Sequence, residues 1–472
     1  MKKLLTLFIA LSAGLCSFAQ GLEGNVEERL KQYFTEYKHP KANFGVCELE
    51  SYTIDHDRRK LDIYPTKPFG YQPFTPESVE GIYNYLKGFL PGPVNYYDIT
   101  IYADGKPIEE LIPNALRKKK DNSLRWKREH KGNPWTKNIS RPYTAEKGLE
   151  GRHIALWQSH GKYYINKKGE WGWQRPRLYG TTEDMFTQSF VVPYLIPMLE
   201  NAGAVVFTPR ERDWQRNEII VDNDGAGSYQ EVKSRKSKWK TTSTPGFALK
   251  RNIYVDGQNP FTEGTARYAH TEKKAEKAFA QWIPTIPETG KYAVYVSYQS
   301  LPESVTDAKY LVFHKGGVTE FLVNQQIGGG TWVYLGSFEC ADAVRFGGGM
   351  GNIARGGQTS GLPRYLEAAR YNAQWSGMPA EVYTRPDREN DYADDLNTRS
   401  HMVNYLSGGS VYNPSDKGLG VPFEMTLAFH SDAGFSKEDE WIGTLGVYTT
   451  NFNEGKLNSG VSRHASRDLT DM

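Results

Sequence analysis

Cysteine is nearly absent, with three residues in 472, at Cys16, Cys47 and Cys340. So few thiols exclude a disulfide-stapled fold, and the chain must stand on a packed core. Cys16 falls in a leader-like segment. Cys47 and Cys340 read as two buried thiols, with one disulfide between them as the alternative. Charge of one sign is lacking too: 58 basic residues face 55 acidic ones, a formal net charge of +3. That balance gives no general attraction to nucleic acid. The basic runs at 117–120 and 233–240 read as solvated loop faces. Beyond the first residues no apolar stretch is long enough to span a bilayer. There is also no HExxH, which excludes the helical two-histidine zinc motif.

What is present begins with Lys2-Lys3, an apolar run from Leu4 to Cys16, and Ser17-Phe18-Ala19. This is a signal-peptide pattern over residues 1–19, cleaved before Gln20. A lipid anchor on Cys16 is disfavoured by the bulk of Leu15. The protein is expected to be exported, to the periplasm, the cell surface or the medium, with no integral membrane segment after signal removal. Its length allows about two to four domains.

Residues 20–112 pattern as a small α+β domain. A helix is expected over 22–38, with Val26, Leu30, Tyr33 and Phe34 on one face, and another from Pro76 to Leu90, capped by Thr75 or Ser78. Strands are expected within Asn43–Ile63 and at Asn95–Ala103, the latter closed by Asp104-Gly105. Residues 113–149 are basic and aperiodic, and read as a linker or strap. A buried-type strand at His153–Trp157, a helix over Glu183–Asn201 and a strand at Ala204–Phe207 make one βαβ unit, implying a mainly parallel sheet over 150–244. Pro193 and Pro197 predict a disturbed helix. Residues 245–346 change to short alternating strands between glycine-rich turns, an inserted all-β sandwich. Over 347–472 the α/β pattern resumes, with helices at Pro363–Trp375 and Asp391–Leu406, a strand before His430 and another at Gly443–Thr449. The chain stops within a helical pattern, and the expectation is a fragment of a longer protein.

Two strands of this scheme end in histidine followed by a small polar turn, at His160-Gly161 and at His430-Ser431-Asp432. Ligands and catalytic groups collect at the carboxyl ends of parallel strands. With Glu183 between them, these histidines could offer two imidazoles and a carboxylate to one zinc ion. Such a site would lower the pKa of a bound water to about 7. The opposing reading is that each histidine is a structural residue at a strand end. Arg399, His401 and Asp432 are candidates for partners of the ligands or of a substrate. His464 is expected to be exposed.

Residues 151–213 and 391–472 resemble the zinc-dependent N-acetylmuramoyl-L-alanine amidases that cut peptidoglycan. The resemblance is carried by His160-Gly161, by Glu183 with the later Ala202–Thr208, by Arg210 and Asp213, by Leu396–Asn404 leading to Leu427–Ala433, and by Gly446-Val447-Tyr448 and Ser462–Asp468. It implies that His160, Glu183 and His430 hold one zinc ion. It also implies a catalytic glutamate on a later strand, expected beyond Met472. Residues 245–378 resemble the golvesin C-terminal-like domain, also found in proteins labelled xanthan lyase, through Gly290–Val296, Gly330–Gly336 and Gly361–Tyr365. This implies a jelly-roll-like sandwich with glycan contact, for which Tyr295, Tyr298, Trp332 and Tyr334 are candidates. An aromatic in a sandwich strand is, however, more often core.

The combined expectation is an exported zinc-dependent amidase-like hydrolase acting on peptidoglycan or another extracytoplasmic polysaccharide. The alternatives are a non-catalytic carbohydrate-binding or surface scaffold, and a xanthan lyase-like polysaccharide lyase.

Overall fold

The computed structural model describes residues 25–472 except 41–43, 126–129, 146–147, 226–227, 273–276, 340–344, 410–416 and 432–442. The signal segment 1–19, Cys16, Cys340 and Asp432 lie outside the described residues. Cys47 is a buried free thiol. No helix among the described residues is long and apolar enough to cross a membrane. The chain forms two compact units, Met1–Lys127 with Ala433–Met472, and Arg128–Asp432.

In the first unit, residues 25–36 are helical and bury Val26, Leu30, Tyr33 and Phe34, the i, i+4, i+7, i+8 stripe that the sequence presents. Strands Leu49–Asp55, Lys60–Pro65, Asp98–Ala103 and Lys106–Pro107 form a sheet in that order. Lys60–Pro65 and Asp98–Ala103 are parallel, so the Pro76–Phe89 helix is their crossover. That helix starts at a capping box, with the Thr75 hydroxyl accepting from Ser78 N and Ser78 Oγ accepting from Thr75 N.

The carboxyl-terminal segment belongs to this unit and not to the α/β layer. Asn114 N donates to Asp468 Oδ1 at 2.6 Å, the Thr450 hydroxyl to Asp104 Oδ1 at 2.8 Å, and Arg467 to the Gln72 carbonyl at 3.1 Å. His464, expected to be exposed, lies half-buried 3.3 Å from the Asp104 carboxylate. Gly443–Thr449 is not a strand. Among the described residues its alternation has no neighbouring strand to pair with, and pairing is what turns a β pattern into a strand.

The second unit contains a parallel sheet ordered Phe423–Phe429, His153–Gln158, Val205–Phe207. The central strand is buried along its whole length, as expected for a strand covered on both faces. The connection from 183 to 201 is helical but broken, passing from short α-turns into a π-turn at Val191–Leu195 and back to α at Ile196–Asn201. Pro193, which cannot donate a backbone hydrogen bond, lies in the π-turn, and Pro197 sits in the first turn of the helix that resumes after it, where a missing donor is tolerated.

The rest of the unit is mostly antiparallel. One sheet is ordered Ile219–Ile220, Arg345–Phe346, Lys291–Val296, Val333–Glu339, and another Ala308–His314, Gly317–Val323, Thr136–Asn138. The unit is therefore β-rich, and parallel pairing is largely confined to the three central strands. Thr136–Asn138 comes from the segment expected to be a linker. Three residues pairing with a sheet edge leave no periodic trace in a sequence.

The antiparallel β layers share a core with the helices that follow them in sequence. One core runs through Trp135, Tyr292, Val294, Phe321, Trp332, Tyr371, Trp375, Met402, Leu406 and Val421. A buried ion chain reinforces it: Arg345 donates to Glu211 and to Glu218 Oε1, the latter at 2.8 Å, and Arg364 also reaches Glu218 Oε1 at 2.8 Å.

Candidate metal centre

The His153–Gln158 strand ends in Ser159, a non-glycine residue with φ of 46°. This left-handed turn is uncommon outside glycine and swings His160 off the line of the strand. Gly161 comes next because nothing larger fits. A Cβ there would lie 2.4 Å from the Glu367 carbonyl carbon and oxygen. The neighbouring parallel strand delivers His430 from the same end of the sheet, since Phe429 pairs with Gln158. Glu183 opens the broken helix after the Thr182 N-cap, where backbone N–H groups favour a carboxylate.

These elements bring His160, Glu183 and His430 together. One potential ligand atom from each lies within 4.8 Å of the others. His430 Nδ1 is 2.8 Å from Glu183 Oε1. His160 Nδ1 is 3.6 Å from Glu183 Oε2, and the two imidazole centroids are 4.7 Å apart. His160 and Glu183 are buried, whereas the His430 side chain is 33% exposed, so the cluster opens to solvent on the His430 side.

The surroundings hold both buried groups in their metal-binding protonation states. Burial pushes the His160 imidazole down to about 3, helped by Arg399 and Arg175 and opposed by Glu183. Burial alone would raise Glu183. The hydrogen bonds from His430 and Ser159 and the two nearby imidazoles outweigh it and bring the carboxyl down to about 2. A neutral imidazole and an ionised carboxylate are the forms that donate to a metal. The buried Glu183 Oε2 accepts no hydrogen bond, with Arg175 Nε 3.3 Å away. Two imidazoles and an ionised carboxylate, one oxygen of which is met only by ion pairing, are a donor set that fits a zinc ion.

Ser159 and Arg175 carry no motif that would have flagged them. The Ser159 hydroxyl donates to Glu183 Oε1 at 2.7 Å and lies 3.0 Å from His160 Nδ1. With its single proton given to Glu183, it accepts from His160 Nδ1–H, which leaves Nε2 the nitrogen carrying the lone pair. Ser159→Ala removes both contacts and keeps the turn strain. Ser159→Gly removes the contacts and the strain together. Both variants should weaken zinc binding roughly 10–100-fold, with the glycine variant melting higher than the alanine one. Competitive chelator titration and thermal melts read both quantities, and unchanged affinity in both variants would rule Ser159 out as a positioning residue.

Of the other candidates, Arg399 reaches the site's edge, with NH1 3.4 Å from the Ser159 carbonyl oxygen. His401 does not. It is exposed on the Asp391–Ser407 helix, where two residues from Arg399 amount to a turn of about 200°. Three of the four aromatic candidates are core. Tyr295, Tyr298 and Trp332 are buried at 7%, 9% and 6% exposure and have no ring face for a sugar. Tyr298 accepts from Trp135 Nε1 and donates to the Ile327 carbonyl, at 2.9 and 2.7 Å. Trp332 packs on Phe247 and Phe261. Tyr334 is partly buried, and the Arg212 guanidinium covers its ring at 3.9 Å.

Behind the Gly161 turn, burial lifts the Glu367 carboxyl to about 7. A buried acid with a raised pKa stabilises the fold while protonated. Its contribution is fully present below the unfolded value of about 4.3 and is lost as pH climbs toward 7. Glu367→Gln should therefore flatten the fall in Tm between pH 5 and pH 8. A melt series in which both proteins lose stability in parallel over that range would contradict this.

Comparison with known proteins gives a partial placement. Residues 256–345 match the Golvesin C-terminal domain. A solved Paenibacillus xanthan lyase structure is similar at 24% identity, over 27% of this chain and 11% of that one, with a TM-score of 0.20. The chain thus spans about a tenth of that protein's length. No curated protein matches the chain.

Proposed function

We propose that this is an extracytoplasmic, polysaccharide-associated protein with a zinc-dependent hydrolytic centre at His160, Glu183 and His430. The substrate within that reading is the amide between muramic acid and the first peptide residue of peptidoglycan. The convergence of these three side chains, 270 residues apart from first to last in sequence, carries the metal part of the reading. The golvesin match at 256–345 supports polysaccharide association. Zinc, when bound, supplies a Lewis acid and an acidified water. The chain's own residues do the rest. Ser159 fixes the orientation of His160 and Glu183, Arg175 holds the outer Glu183 oxygen, and the open His430 side admits substrate.

The test is zinc content together with peptide release from purified sacculi. One zinc per chain with free muramoyl ends appearing supports the reading, provided both disappear in His160→Ala. A second reading, a carbohydrate-binding scaffold without chemistry, is favoured by the family match lying in the β layers and not over the histidine cluster. It predicts retention on polysaccharide with no metal-dependent release.

A further inference from the structure

Of the four aromatics that the sequence offered for glycan contact, Tyr295, Tyr298 and Trp332 are buried, and Tyr334, capped by Arg212, is left at the wall of a groove. The groove, of about 1270 Å³, runs between the 134–144 strap, the 212–217 loop and the edge of the Val333–Glu339 strand. Two of its lining residues are exposed aromatics, Tyr143 at 49% and Trp214 at 48%. Tyr143 is fixed by its hydroxyl, which donates to the Asn201 carbonyl at 3.1 Å. Asn138 and Asn217, both partly exposed, line the same groove. Its charges are mixed, with Lys137 and Arg216 against Glu150 and Glu288.

We infer that this groove binds a polysaccharide chain, with Trp214 and Tyr143 stacking on sugar faces and the amides meeting hydroxyl or acetamido groups. Ring faces combined with amides and without charge of one sign suit a neutral or weakly charged glycan. Glu150–Gly151 and Gly203–Ala204 place the groove at the amino-terminal ends of the parallel strands. The histidine cluster is at their carboxyl ends, roughly 20 Å away along a strand of this length. The groove is thus a holding site separate from the metal centre, and it rests on the reading of polysaccharide association.

The experiment is sedimentation of the full chain with purified peptidoglycan sacculi, and affinity electrophoresis through a neutral polysaccharide, hydroxyethyl cellulose. Wild type, Trp214→Ala, Tyr143→Ala and Trp214→Phe are compared, with Tm and zinc content recorded for each. The groove is supported if wild type is retained by either glycan and both alanine variants lose at least about tenfold in affinity. Tm and zinc should stay unchanged in those variants, and Trp214→Phe should keep part of the binding. Retention of wild type and both alanine variants alike overturns the groove while leaving polysaccharide association intact. No retention of wild type by either glycan overturns both.

Discussion

Replacing His160 or His430 with alanine is expected to abolish stoichiometric zinc binding. Each imidazole is one of three donors in the proposed site among the described residues, and Glu183 with a single remaining imidazole falls short of the three protein ligands a zinc site needs. The loss should therefore exceed the roughly 10–100-fold expected when only an orienting contact is removed. The two variants should differ in their side effects. His160 is buried beside Ser159 and the Gly161 turn, so its removal leaves a void and takes away one of the two hydrogen bonds of the Ser159 hydroxyl, with a lower Tm. His430 is partly exposed, and its removal should cost little stability. His401→Ala is the control: it lies on the far side of its helix and should keep full zinc. Metal analysis after gel filtration, alongside melts of the metal-free proteins, separates these outcomes. Zinc retained by His160→Ala would mean that the ion sits elsewhere.

The second large effect concerns the core. Trp375 is fully buried against Phe247 and Tyr254 and under the Arg364 guanidinium at 4.6 Å. Trp375→Ala should cost about 3–5 kcal/mol, a fall in Tm of about 10 °C for a unit of this size. Because Val205, Phe207 and Phe423 of the parallel sheet pack against this core, hydrogen-exchange protection should fall together in the His153–Gln158 strand and in the Lys291–Val296 strand. A loss confined to the antiparallel strands would show that the two layers fold as separate domains.

Elements with a strong local pattern were legible in the sequence. The amino-terminal helix stripe, the Thr75–Ser78 cap and the apolar run ending at His160 each declare themselves within a dozen residues. Residues joined only by long-range geometry were not. Thr136–Asn138 pairs with a strand nearly two hundred residues later, and no periodicity marks it. The alternation of Tyr292, Val294, Val296 and Tyr298 suggested one buried face. Ala293 and Tyr295 between them are buried as well, because this strand is covered on both sides. That is also why Tyr295, which the pattern offers for sugar contact, is core, while Trp214, in a loop without pattern, is exposed. At the candidate site, residue types and strand ends pointed to His160, Glu183 and His430. The Ser159 turn and the Arg175 contact depend on backbone conformation and loop path, which residue types do not encode.

X-ray absorption at the zinc edge of the loaded protein tests the central claim most directly. The account predicts a first shell of nitrogen and oxygen only, at about 2.0–2.2 Å, with the outer-shell scattering of two imidazoles. A sulfur shell near 2.3 Å, or a single imidazole, would contradict it.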